Sequence, residues 1–157
     1  MAASCGYSAI LALKALQHPM AVSSRAPLLA FVSAATPTAR AARARLEKRY
    51  GAVKPAEADI IVALGGDGLM LQALHRNIRR QKPIYGMNLG TVGFLLNTYK
   101  ESGLLQRLKR ARKVTLTPLR MIATNTRGRH SEVIAINEVS LLRSSRQTAR
   151  ILSLIHI

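Results

Sequence analysis

A carboxylate set among glycines is the first feature of this sequence that can do chemistry. Gly65-Gly66-Asp67-Gly68 follows directly on the apolar run Ile60-Ile61-Val62-Ala63-Leu64 and precedes residues at helical spacing. In such a turn, backbone N–H groups and a helix N-terminus come together where a phosphate can be held. Asp67 among them can take a proton from a hydroxyl nucleophile, or hold Mg2+ beside a phosphate. It can also do no more than cap the helix that starts at Gly68.

A second glycine-rich stretch, Gly86-Met87-Asn88-Leu89-Gly90-Thr91-Val92-Gly93-Phe94, follows the next apolar run. Ligands of open α/β sheets bind beyond the carboxyl ends of the strands, so two such loops build one crevice. The third feature is Asn137-Glu138, placed between the apolar run Val133-Ile134-Ala135-Ile136 and Val139. Adjacent residues of a strand face opposite sides, and a buried carboxylate needs partners. Glu138 therefore faces solvent, or the pair binds ligand hydroxyls and amides. The sequence has neither the Gly-x-x-x-x-Gly-Lys-Ser/Thr phosphate loop nor Gly-x-Gly-x-x-Gly. His18, His75, His130 and His156 lie far apart, and none sits with Cys or carboxylates at metal-ligand spacing. No serine stands in a Gly-x-Ser-x-Gly setting.

The elements that must carry these residues follow from periodicity. Leu28 to Val32 reads as a buried strand. Thr36-Pro37 opens a helix over 38–50 with Ala39, Ala42, Leu46 and Tyr50 on one face, and Gly51 stops it. The next strand, 59–64, leads into a helix with Met70, Ala73, Leu74, Asn77 and Ile78 at three- and four-residue steps. Pro83 to Met87 is a third strand, and a basic helix is expected over about 99–111. This order predicts an open, mostly parallel α/β sheet over 27–113. Two extended runs, 114–126 and 132–142, flank the turn Arg127-Gly128-Arg129-His130 and predict a β-hairpin. That hairpin is expected to begin a β-rich domain over 114–150.

Composition narrows the function classes. The chain has 157 residues with 48% hydrophobic content, enough for one sizeable core. No apolar run is long enough to span a bilayer. A lone cysteine, Cys5, excludes a disulfide framework. Lys and Arg number 24 against seven Asp and Glu, a net charge of +17 that favours polyanionic partners. The bases occur throughout the chain without a nucleic-acid-binding motif, and aromatics are 4%, so nucleic acid is not the expected partner. Residues 1–26 carry no acid, and Lys14 interrupts their short apolar run. They are expected to form a weakly ordered extension or to follow an early start codon, in preference to a targeting segment.

The three chemical features together resemble the NAD kinases, particularly the alphaproteobacterial branch. The likeness runs from Leu28 to Arg150 and is densest in Ala58 to Gly68, Pro83 to Leu95 and Ile136-Asn137-Glu138-Val139. Gly-Gly-Asp-Gly alone is shared with lipid kinases and phosphofructokinases; the glycine loop and the Asn-Glu pair select NAD kinase. The resemblance implies ATP-dependent phosphorylation of the 2′-hydroxyl of the adenosine ribose of NAD, giving NADP, with Mg2+ or another divalent cation accompanying ATP. It implies that Asp67 is the general base and that Gly65, Gly66 and Gly68 line the phosphate turn. Phe94 would lie beside the nucleotide, and Asn137 and Glu138 would bind NAD. It further implies a cytoplasmic, homo-oligomeric protein that is not bound to a membrane. A basic nucleic-acid-binding module and a lipid or sugar kinase are the alternatives.

The sequence departs from the family in three places. Leu89 stands where relatives often carry a base. The family continues through further β-rich chain bearing a Gly-Ser-Thr-Ala-Tyr-type motif, and residues 151–157 do not follow its pattern. The expectation is an N-terminal portion of an NAD kinase with a truncated β domain and a non-family tail. Such a chain would have little activity alone, and its apolar tail and open hairpin edge would promote association.

Overall fold

The computed structural model describes the backbone of residues 7–10 and, in full, residues 25–90, 93–142, 146, 148 and 150–154. Its centre is a parallel trio: β2 (Leu29–Ser33), β3 (Ile60–Gly65) and β4 (Ile84–Asn88). All six residues of β3 are buried. A strand covered on both faces reads as an unbroken apolar run, without alternation. On one face Phe31, Val62, Leu64 and Met87 pack with Leu46 of α1 (Pro37–Tyr50) and with Leu104 and Leu108 of α3 (Leu104–Arg110). On the other, Ala30, Ile61, Ala63 and Ile84 meet Met70, Ala73 and Leu74 of α2 (Asp67–Arg76). The expected mostly parallel α/β sheet is therefore present, and antiparallel strands follow it.

Helix α1 starts and stops where its chemistry dictates. The Thr36 hydroxyl accepts the Ala39 N–H at 3.3 Å, and Pro37 occupies the first turn. Gly51, at φ +72°, donates its N–H to the Glu47 carbonyl. Thr36→Ala is expected to lower stability by about 1 kcal/mol. A chemical-denaturation midpoint that does not move would show that the cap contributes nothing.

The remaining strands differ from the sequence reading in instructive ways. Tyr7–Ile10, within the expected weakly ordered extension, forms β1. It pairs parallel to β4 at Ile84 and Tyr85, and antiparallel to β6 (Val114–Leu116). Four residues suffice because the edge of β4 offers unpaired backbone groups. The rest of 1–24 lies outside the described residues. The two-residue strand β5 (Asn97–Thr98) pairs the same edge of β4 farther on, at Met87 and Asn88.

Helix α3 starts at 104, later than expected. Arg107 donates to the carbonyls of Thr98, Lys100 and Ser102 and holds them in a turn. Gly103 takes a left-handed φ of +66° at the cap.

The hairpin is β7 (Leu119–Thr124) with β8 (His130–Ala135). Its turn is set by the Asn125 carboxamide oxygen, which accepts the N–H groups of Arg127 and Arg129. Val114–Leu116 belongs to the first sheet, and residues 136–142 are not strand. The β7–β8 ladder begins at the pair Leu119–Ala135. The residue before Leu119 is Pro118, which has no N–H to extend the ladder.

Candidate functional site

The site forms where β3 and β4 end side by side. Gly65 is the last residue of β3, Gly66 the N-cap of α2 and Asp67 its first residue. Asp67 stands one residue past the N-cap, so it is not the cap of its own helix. Its carboxylate reaches across to the second glycine loop. Oδ2 accepts the Phe94 N–H at 2.9 Å and Oδ1 accepts the Leu95 N–H at 3.1 Å. The Gly65 carbonyl accepts the Leu89 N–H at 3.0 Å, which ties the start of the same loop to the same turn. The two glycine stretches, expected to build one crevice, are joined by these hydrogen bonds into one unit.

The glycines divide into two kinds. A Cβ on Gly65 would meet Ala34 and Leu69, and one on Gly86 would meet Leu96 and Met70. These positions are glycine because the protein itself is too close. Gly66 and Gly68 have nothing within 4 Å of that point. Gly66 sits at φ −106°, a conformation open to any residue. Packing does not explain glycine at either position; Gly66 is also the N-cap of α2, where glycine is favoured over alanine, and the space in front of both residues is open.

Several residues that the sequence reading passed over shape the site. The Asn88 carboxamide oxygen accepts the Gly90 N–H at 2.8 Å, and the Asn97 amide donates to the Gly86 carbonyl at 3.0 Å. Both asparagines stand at the polar ends of apolar runs, which is the signal that could have found them. An open cleft of about 490 Å³ lies over the loop, lined by Asn88, Leu89, Gly90, Gly93, Leu96 and Tyr99. Tyr99 donates to Glu101 Oε1 at 3.0 Å, and Arg45 donates to the same oxygen. Burial pushes the Tyr99 phenol up, and the Arg45 guanidinium holds the Glu101 carboxyl below the usual carboxylate range.

The structure brings Gly65, Gly66, Asp67, Gly68 and the Phe94 backbone together. The Phe94 ring is 86% exposed, so it stands available to a ligand. Asn137 and Glu138 are exposed and follow β8. Among the described residues, no hydrogen bond or ion pair joins them to the Asp67 turn. The residue before them, Ile136, packs against the α2 side of the core, which keeps the pair tethered to the α/β unit. Thr91 and Val92 of the loop lie outside the described residues. No group of three His, Cys, Asp or Glu able to hold a metal is found among the described residues, and none of their helices is long and apolar enough to cross a membrane.

Comparison with known proteins gives a consistent family. The profile of the ATP-NAD kinase N-terminal domain matches residues 13–111. The chain is 54% identical over 123 residues to the NAD kinase of Caulobacter vibrioides, covering 78% of this chain and 47% of that protein. It is 48% identical over 123 residues to the NAD kinase of Hyphomonas neptunium, covering 78% and 48%. With the NAD kinase of Mesorhizobium japonicum it shares 47% identity over 130 residues, covering 83% and 51%. The chain spans about half the length of the curated relatives it matches.

Proposed function

The chain belongs to the NAD kinase family, and from that premise we propose that it supplies the phosphoryl-transfer half of an enzyme converting NAD to NADP. ATP is the donor, and the acceptor is the 2′-hydroxyl of the adenosine ribose. The observation that carries this reading is the Asp67 carboxylate, tied by two backbone N–H groups to a glycine loop at the ends of adjacent parallel strands. Each Asp67 oxygen accepts one of those bonds. An ionised carboxylate has about four acceptor positions, so capacity remains for a ribose hydroxyl. Asp67 takes the hydroxyl proton, the oxygen bonds to the γ-phosphorus, and ADP leaves with the electrons of the broken P–O bond. Such transfer depends mainly on positioning and charge neutralisation. The open backbone of Gly66 and Gly68 at the N-terminus of α2 suits an approaching phosphate. Mg2+ enters this reading on the ATP phosphates, since it commonly binds through substrate phosphates with few protein carboxylates. Phe94 packs beside the nucleotide, and the protein works in the cytoplasm.

The test is NADP formation from NAD, ATP and Mg2+. It is run on the chain alone and on the chain joined after residue 150 to the remainder of the Caulobacter protein. No NADP from the joined protein overturns the proposal. Within it, Asn137 and Glu138 bind NAD and not ATP. Glu138→Ala in the joined protein is expected to raise the NAD KM about tenfold or more, the worth of a hydrogen bond to a charged group. The ATP KM should stay within about twofold. A larger rise for ATP than for NAD would reassign the pair.

A further inference from the structure

Among the bases spread along the chain, several stand exposed on α1 and α3. Helices α1 and α3 lie on one face of the sheet, joined where Tyr50 donates to the Glu101 carbonyl at 2.7 Å and accepts the Leu104 N–H at 3.3 Å. The acids at this face are already engaged: Glu47 with Arg43 and Glu101 with Arg45. Arg40, Lys48 and Arg49 of α1 and Lys109 and Arg110 of α3 stay exposed. No acid lies in the first turn of α1. Bases near a helix C-terminus complement its dipole, which accounts for the last-turn residues. Arg40 gains nothing from the dipole, because it lies toward the opposite end. Arg40 with Arg43, and Arg45 with both Lys48 and Arg49, are like-charge neighbours at three- and four-residue spacing, a repulsion that the Arg43–Glu47 and Arg45–Glu101 pairs offset in part. An open groove of about 430 Å³ runs between the end of β2 and α1, lined by Ser33, Ala34, Arg40, Arg43, Ala44 and Glu47, the last paired with Arg43.

We propose that the α1–α3 face binds the phosphodiester backbone of duplex nucleic acid without reading its bases. Charge complementarity gives the class of partner. The fourteen residues of α1 extend about 20 Å, roughly the axial length of six base steps. An anionic membrane fits the face less well, because surface-bound helices bury apolar side chains in the lipid. None of the exposed large hydrophobic side chains among the described residues belongs to α1 or α3. The face also lacks an exposed aromatic platform for stacking, which favours a duplex over a single strand.

The test titrates the whole chain against a labelled duplex of about 20 bp, by fluorescence anisotropy, from about 50 to 200 mM salt. Each phosphate contact contributes about 0.9 to the slope of log K against log salt. Joint replacement of Arg40, Lys48, Arg49, Lys109 and Arg110 by Ala is expected to lower that slope by about three or more and the affinity at least about tenfold. Joint replacement of Arg76, Arg79, Arg80 and Lys82, at and beyond the end of α2, should change the slope by about one or less. If the five-residue variant loses its far-UV circular dichroism, the pair Arg40→Glu and Lys109→Glu gives the same reading. Equal losses from the two sets overturn the proposal. So does capture by vesicles containing anionic lipid without binding to the duplex.

Discussion

Asp67→Asn is expected to lower turnover by roughly 10²–10⁴-fold, the usual worth of a positioned general base. The experiment is NADP formation by the chain joined to the remainder of the Caulobacter protein. Asp67 has two jobs in the proposed mechanism, and the kinetic constants separate them. As a base it acts in the transition state, so its loss appears in kcat. As an acceptor for the N–H groups of Phe94 and Leu95 it holds the glycine loop, so its loss appears in the nucleotide KM. Asn keeps one oxygen for one of those bonds and brings an amide donor against the other N–H. Some rise in KM therefore accompanies the fall in kcat. A variant with near-normal kcat and only a raised KM would reduce Asp67 to a tie between two loops and remove the base from the mechanism. Thermal midpoints measured beside the kinetics show whether the site alone was affected.

The parts of this molecule legible in its sequence are those whose signals are local. The strands β2, β3 and β4 are unbroken apolar runs, because a parallel sheet covered on both faces needs no alternation. Helix α1 announces itself through Thr36, Pro37 and Gly51. What the sequence hid depends on partners far along the chain. Strand β1 has only four residues, and its pairing is defined by β4 and β6. Strand β5 has only two residues and is set by the edge of β4. The run 132–142 looks extended throughout, yet β8 stops at Ala135, where the ladder reaches the end of β7 next to Pro118. Asn137 and Glu138 are consequently in irregular chain, and their surroundings had no local signature. Where the Asp67 carboxylate makes its bonds had no local answer either: its partners are the N–H groups of residues 27 and 28 positions away.

Glycine content was legible too, but the sequence could not say which glycines serve the fold and which serve a ligand. Gly66→Ala separates these. A Cβ there meets no protein atom within 4 Å, and the backbone at φ −106° accepts alanine. Gly66 is the N-cap of α2, where alanine is less favourable than glycine, so stability should fall by about 0.5–1 kcal/mol. The added methyl group would nevertheless stand in the space where the proposed phosphate approaches the N-terminus of α2. Displacement of a reacting group by about 1 Å can cost roughly 10²-fold in rate. The expected result is a fall in kcat/KM of roughly that size with only the small drop in thermal midpoint that a lost cap preference gives. Gly86→Ala supplies the contrast: its Cβ would press on Leu96 and Met70, so its midpoint should fall further. If Gly66→Ala retains full activity, the open face of the turn is not where phosphate lies, and the phosphoryl group must be held elsewhere around the cleft.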